Sequence, residues 1–495
     1  MSPVFSGDTC VPHYGNTTGA ACTQGGFPNY AVNVSTVAQV QLAVNFARNT
    51  GLRLVVKNTG HDFLGKSTGA GALAIWTHNL KSVSYIPEFR SAFYTGPALK
   101  LGAGVQVGEL FAAADRYNVT ATGGECKGVG VSGGYIAGGG HSPLSPKYGL
   151  GSDSVLSADI VLPNGRFATV TEASDPDLFW ALRGGGGATF GVVTSVTVKV
   201  YPRMTFSGAT FTVVSGPDTP VNDTVFWNAM YAYWRQHPQL AEKGSYAYSQ
   251  IFPRGPPGSG YQWTMLPWLM PGMALSDFKA MLAPLLSQWA DLGLVVKPDY
   301  FEYDNFLQVW TSHFPTETVA NSNLRVGSRL FPKQNWSNST TMEAMLDAVK
   351  SVILEGSALI QYTMNPAQPP NTAPSAANSH WRDAVWFTII GTTWGPGPGS
   401  PPVAVDESAN RKLTENWMAR LKPFAPGAYG NEADVMEKDF GAAFWGANYP
   451  RLLQIKRRVD PEDVFWAPTA VGSERWKVQG QPAWLPLQTG KLCRV

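Results

Sequence analysis

Charge of one sign, long apolar runs and cysteines at metal-binding spacing are all scarce in this sequence, and each scarcity removes a class of function. Lys and Arg number 37 against 35 Asp and Glu, a net charge of +2. No long-range field draws in a polyanion, so nucleic acid is not an expected partner. The one basic run, Lys456-Arg457-Arg458, falls in a segment of helical periodicity and reads as a solvated face. No stretch reaches the roughly 18 uninterrupted apolar residues of a spanning helix, so a soluble protein with no membrane partner is expected. Met1 to Phe5 lacks the basic start and apolar run of a signal peptide, as a mature form with an added Met would. The 4 cysteines suit no zinc site, because Cys10 and Cys22 lie close together while Cys126 and Cys493 stand alone. No metal is expected.

Cys10 and Cys22 bracket a Gly- and Thr-rich stretch that a disulfide could close, which requires an oxidising compartment. Asn-x-Ser/Thr sequons at Asn16, Asn33, Asn118, Asn222, Asn335 and Asn338 point the same way, so secretion is expected. Charged residues make only 15% of the chain, whereas aromatics make 12% and glycine reaches 52 residues. That balance suits a deep, sheet-built pocket for a flat or ring-shaped ligand, or alternatively a glycan-binding surface. At 495 residues the chain exceeds one ordinary core and predicts two to four folding units.

Helical spacing from Val34 to Thr50 leads into a buried strand, Leu52 to Lys57, which runs into Asn58-Thr59-Gly60-His61. Short strands follow at 73–76 and 99–104. Residues 123–153 then form the densest glycine region, whose backbone must turn sharply or press against something. A strand pair over 154–162 and 167–171, a short helix at 177–183 and an alternating strand at 192–200 complete this part. Beyond Tyr201-Pro202, helical stretches (226–236, 275–292, 341–355) alternate with strand-like ones (246–252, 263–266, 385–394), predicting a second, α+β domain. Residues 366–378 and 395–402 read as loops, and 444–458 as a last helical piece.

A histidine after a glycine is more often structural than catalytic, and a cysteine is more often a small buried hydrophobe. Their settings raise both. His61 lies in KNTGHDFLGKS, a polar loop after a buried strand, the kind of backbone nest that holds a pyrophosphate. Cys126 is flanked by Gly123, Gly124, Gly128 and Gly130, a poor site for a packing residue. No strand, glycine triplet and helix occur in the order of a dinucleotide fold. The residues alone reach only a phosphate-bearing cofactor.

Four runs together resemble the vanillyl-alcohol-oxidase superfamily of FAD enzymes: KNTGHDFLGKS, GGECKGVGVSGGYIAGGGHSPLSPKYGLGSD, DPDLFWALRGGGGATFGVVTSV and FWGANYPRLLQIKRRVDPEDVFWAPTAVGSERW. The likeness is greatest to its berberine-bridge-enzyme-like branch, as found in secreted fungal oxidases, and covers about 28–204 and 427–476 in family order. The resemblance implies an α+β fold. A two-part FAD domain (1–204 and the return 427–495) would carry an inserted α+β substrate domain (205–426), an antiparallel sheet flanked by helices.

The resemblance also implies roles. His61 would bond the flavin 8α-methyl carbon and Cys126 flavin C6, which fixes the ring and tunes it as a hydride acceptor. Asn58, Thr59, Gly60 and Asp62 would wrap the pyrophosphate. Gly130, Ser132, Gly133, Gly134, Gly138 and Gly139 would press against the flavin and ribityl chain. Asp153 and Val193 match positions near adenine and ribose, and Asn448 one near the flavin pyrimidine ring. Val129 falls where relatives gate an oxygen pocket, and valine there goes with oxidases, so molecular oxygen is the expected acceptor. Tyr429, in Tyr429-Gly430-Asn431, matches the tyrosine base of sugar and alcohol oxidases, with Tyr449 the alternative phenol. A phenol near pKa 10 acts as a base near neutrality only if something lowers that value.

The alkaloid-forming members use a glutamate on a central strand, and Arg382 to Ile390 offers none. The expected reaction is therefore hydride abstraction beside a hydroxyl of a carbohydrate or alcohol, giving hydrogen peroxide, by a monomer. Oxidation or cyclisation of an aromatic secondary metabolite is the alternative, and a flavin-retaining binding protein the rival from another class.

Overall fold

The computed structural model describes residues 2–7, 9, 22–316, 323–366, 368–370, 372–394 and 403–495. Cys10, and with it the expected bridge to Cys22, lies outside the described residues, as do sequon Asn16 and the tract 395–402. Among the described residues no helix is long and apolar enough to cross a membrane.

Two small sheets build the first part. Strands β1 (Tyr30–Asn33), β2 (Leu54–Lys57) and β3 (Leu73–Trp76) pair in parallel in the order β1-β3-β2. The helix Val37–Thr50 connects β1 to β2. Its start is set by a Thr36/Gln39 capping box and its end by Gly51 at φ 66°, a left-handed cap that glycine adopts without strain. Strands β4 (Val83–Arg90), β5 (Thr95–Gly102), β7 (Val155–Val161), β8 (Phe167–Val170) and β9 (Val192–Lys199) form an antiparallel sheet ordered β4-β5-β9-β7-β8. The short β6 (Val119–Thr120) pairs with β10 (Tyr201–Pro202) at the exit from this part.

The central part is one antiparallel sheet of seven strands: β11 (Phe206–Val214), β12 (Tyr246–Pro253), β13 (Tyr261–Pro271), β14 (Asp299–Tyr303), β15 (Asn323–Pro332), β16 (Ala358–Thr363) and β17 (Ala384–Trp394). Their order is β14-β11-β13-β12-β16-β17-β15. Strand alternation divides its side chains between two cores. Ala247 and Ile251 of β12, Leu359 of β16, and Trp386 and Ile390 of β17 pack with Trp234, Trp289 and Leu346 from the helices Asp223–Trp234, Leu275–Asp291 and Ser339–Leu354. Tyr246, Tyr248, Tyr362, Phe387 and Ile389 join the core of the first part instead. The sheet is thus helix-covered on one face and presents aromatic and aliphatic side chains to the first part of the chain on the other.

The chain then returns. Phe465 bridges Leu54 in parallel, which sets the C-terminal segment beside β2. The helix Tyr449–Val459 carries the basic run, where one expectation needs correction: Lys456 is buried. Its ammonium ion-pairs with Asp460 at 2.6 Å and donates to the carbonyls of Thr189 and Phe465 at 2.9 and 2.7 Å. A buried charge needs such partners, and only Arg457 and Arg458 of the run remain on the exposed face.

Candidate active site

A cavity of about 780 Å³ lies between the first part and the open face of the seven-stranded sheet. Its walls come from the loop after β2, the glycine-rich loop, β9, the central sheet, and the C-terminal segment.

The loop after β2 is pinned from both sides. Asn58 Nδ2 donates to the Ala103 carbonyl at 2.9 Å, and Trp76 Nε1 donates to the Asn58 carbonyl at 2.8 Å. Asp62 organises the rest, accepting from the backbone of Lys66 at 2.7 Å and of Leu64 and Ser67 at 3.2 Å. The second loop lies directly on the first. A Cβ at Gly130 would come within 2.0 Å of Asn58 Nδ2, and one at Gly128 within 2.7 Å of His61 Nε2, so only glycine permits this approach.

That stacking brings His61 and Cys126 into one cavity, together with Asn58, Thr59, Gly60, Asp62, Val129, Gly130, Gly133, Gly134, Val193 and Tyr429. Burial pushes the His61 imidazole below its ordinary value, towards the neutral form. Gly133 and Gly134 meet no atom within 4 Å where a Cβ would stand, so the space before them is left open by the protein. Lys66 also lines the cavity, and burial pushes its ammonium down to about 8 against the opposing pull of Asp62. Its volume, the open glycine floor and a cation whose charge burial disfavours fit a large, flat, phosphate-bearing cofactor such as FAD.

Six residues expected at the cofactor do not line this cavity, and each is engaged elsewhere. Ser132 donates to the carbonyls of Leu101 and Gly102 at 3.3 Å. Gly138 is glycine because Asn431 approaches to 2.3 Å from its missing Cβ, and Gly139 packs beside Ala377. Asp153 is fully buried in a two-point contact with Arg382 at 2.8 Å. Asn448 donates to the Ala377 carbonyl at 3.0 Å, holding backbone. Tyr449, the alternative phenol, donates to Glu474. Asp153 and Asn448 thus have structural partners that local sequence could not reveal.

Tyr429 sits in an aromatic cluster, 5.5 Å from the His141 ring and 5.4 Å from that of Trp381, and its oxygen accepts from Asn431 Nδ2 at 2.8 Å. Burial pushes its phenol well above the ordinary value, with the Glu432 charge adding to the effect, opposite to what a base requires. Two carboxylates that motif reading passed over line the cavity, Glu125 beside Cys126 and Glu432 beside Asn431. Both were adjacent to recognised motifs, but only the fold turns them inward.

The family model for an FAD binding domain matches residues 28–171, and the model described as "Berberine and berberine like" matches 428–472. The chain is 33% identical to the FAD-linked oxidoreductase patO of Aspergillus clavatus over 504 residues, covering 100% of this chain and 83% of that protein. The solved VAO-type flavoprotein MtVAO615 of Myceliophthora thermophila superposes with a TM-score of 0.90 at 31% identity, over 100% of this chain and 87% of that one. A glucooligosaccharide oxidase of Acremonium strictum, whose FAD is 6-S-cysteinyl and 8α-N1-histidyl, gives 0.69 at 18% identity over 90% and 92%, which shows the fold alone. By likeness over its whole length, the chain belongs to the VAO-type family of FAD-linked oxidoreductases, in the branch with a berberine-like C-terminal segment.

Proposed function

We propose that the protein is an oxidase that holds FAD through two links, from His61 and Cys126. It would oxidise a carbon bearing a hydroxyl group on an apolar, ring-containing small molecule, with oxygen as acceptor and hydrogen peroxide as product. The observation that carries this reading is the convergence of His61 and Cys126 on one cavity through loops that pack at glycine distance. Bound there, FAD supplies the hydride acceptor and passes the electrons to oxygen.

The chain's own residues do the rest. A neutral His61 presents a ring nitrogen for attachment, and Cys126 a thiol on the facing loop. Val129, hydrogen-bonded through its backbone N–H to the Cys126 carbonyl at 3.2 Å, keeps a small side chain on that wall, where oxygen would approach. The substrate side is formed by Leu324, Val326, Ile360 and Ile389, with Tyr248 and Tyr362 stacked 4.9 Å apart. These groups offer a sugar few hydrogen-bond partners and an aromatic ring a close-packed slot, which favours a secondary-metabolite alcohol over a carbohydrate.

Secretion belongs to the same reading. Asn33, Asn118, Asn222 and Asn338 are exposed, whereas Asn335 is buried and donates to the Phe424 carbonyl at 2.8 Å, so it is no glycan acceptor in the folded protein.

Acid precipitation tests the links. Wild type should stay yellow in the pellet, Cys126→Ala should keep flavin with an altered spectrum, and the double variant with His61→Ala should release it all. Flavin released from wild type refutes the links. Peroxide formed from an aromatic-alcohol panel supports the reaction, and flavin that no substrate bleaches anaerobically points to a binding protein.

A further inference from the structure

Of the carboxylates that line the cavity, Glu125 and Glu432 are in opposite states. Glu125 accepts hydrogen bonds from the hydroxyls of Tyr246 and Tyr362, the latter at 3.3 Å, and its carbonyl accepts from Trp310 Nε1 at 2.7 Å. It ties the Cys126 loop to β12 and β16, and each of its carboxylate oxygens holds a hydrogen bond. Glu432 Oε2 is buried and accepts no hydrogen bond. His141 Nε2 lies 3.4 Å from it without hydrogen-bonding alignment, and His141 Nδ1 is likewise buried without a partner. Glu432 and His141 both line the cavity and each keeps a buried polar atom unpaired, so this wall holds hydrogen-bonding capacity that the protein itself does not use and a ligand's polar group can.

Resting on the alcohol-oxidation reading, we propose that Glu432 is the catalytic residue that takes the proton of the substrate hydroxyl, with His141 positioning its carboxylate and Tyr429 donating to the same substrate oxygen. The balance is simple. The O–H bond breaks and its proton joins a Glu432 oxygen, while the neighbouring C–H leaves with its electron pair as hydride to FAD. The C–O bond becomes a carbonyl, so the substrate loses two electrons and FAD gains them.

The division of labour follows from the groups' states. Tyr429 keeps its proton, since burial and the Glu432 charge both oppose the phenolate, so it acts as donor. Glu432 has an open lone pair, so it acts as acceptor. The titratable groups around it are His141, Tyr429 and Tyr135, with Glu125 acting on the same Tyr135. Of these, His141 alone can bring positive charge.

Glu432→Gln keeps the shape and loses the acceptor. In the holoprotein, anaerobic flavin bleaching by an aromatic alcohol is followed, and binding of that alcohol's O-methyl ether, which has no hydroxyl proton to give, is read from the shift of the resting flavin spectrum. Expected for Glu432→Gln is a roughly 10²–10⁴-fold slower bleaching at unchanged flavin content and unchanged ether affinity. Tyr429→Phe should slow bleaching less and weaken ether binding. His141→Asn should slow bleaching less than Glu432→Gln and leave ether affinity in place. If Glu432→Gln bleaches as fast as wild type, or loses ether binding as steeply as bleaching, or if Tyr429→Phe slows bleaching more than Glu432→Gln, the proposal falls. If wild type holds flavin yet bleaches with no alcohol, the alcohol-oxidation reading falls and takes the proposal with it.

Discussion

Asp153 and Arg382 face each other in a two-point contact, both N–H···O distances 2.8 Å, joining the glycine-rich region to the turn Ser379–Arg382 that leads into β17. The carboxylate is fully buried and accepts a third bond from the Leu150 amide at 2.8 Å, so it has no water to fall back on, while Arg382 is partly exposed.

Removing one partner therefore leaves the other uncompensated. Asp153→Asn should lower unfolding free energy by about 3 kcal/mol, read from the urea midpoint. The double variant Asp153→Leu with Arg382→Met should recover most of that loss. A single variant with an unchanged midpoint would refute the seam role.

Gly134→Ala separates folding from loading. The added methyl meets no protein atom within 4 Å, so FAD-free protein should keep its melting temperature or gain slightly from helix propensity. The methyl enters the cavity, so FAD affinity should fall about tenfold or more, measured by flavin fluorescence on titration. Gly130→Ala, by contrast, collides with Asn58 and should lose both stability and flavin.

Lys66 gives a pH signature. Its folded value of about 8 lies below the ordinary 10.5, so the unfolded chain holds more protons between those limits. Stability of FAD-free protein should rise as pH climbs through that window. The rise should vanish in Lys66→Met and shrink with FAD bound, because a nearby phosphate holds the ammonium charged. Chemical unfolding at a series of pH values reads it.

Val129→Leu adds bulk to the wall beside Cys126. Reoxidation by oxygen should slow at least about tenfold while anaerobic reduction by substrate stays unchanged, as stopped-flow absorbance would show. Equal slowing of both steps would instead mean a general distortion of the cavity.

The local elements were legible because they rest on local physics. The helix Val37–Thr50, the strand Leu54–Lys57 and the strands β12 and β17 follow from periods of 3.6 and 2, and the glycine-rich motifs carried the family, whereas β16 was not read from the sequence. Only the sheet shows which face of β17 meets which core: Trp386 turns to the helices and Phe387 to the core of the first part.

What the sequence by itself determined was a site for a phosphate-bearing cofactor and, through its resemblance to a family, an FAD-linked enzyme with His61 and Cys126 in two separate loop motifs. Tertiary structure decided the polar chemistry. Asp153 meets Arg382 across 229 residues, Lys456 folds inward to Asp460, Tyr449 turns to Glu474, and Glu432 enters the cavity beside His141. A backbone motif carries its conformation within a few residues, whereas a charged side chain's role depends on which distant partner burial leaves within reach.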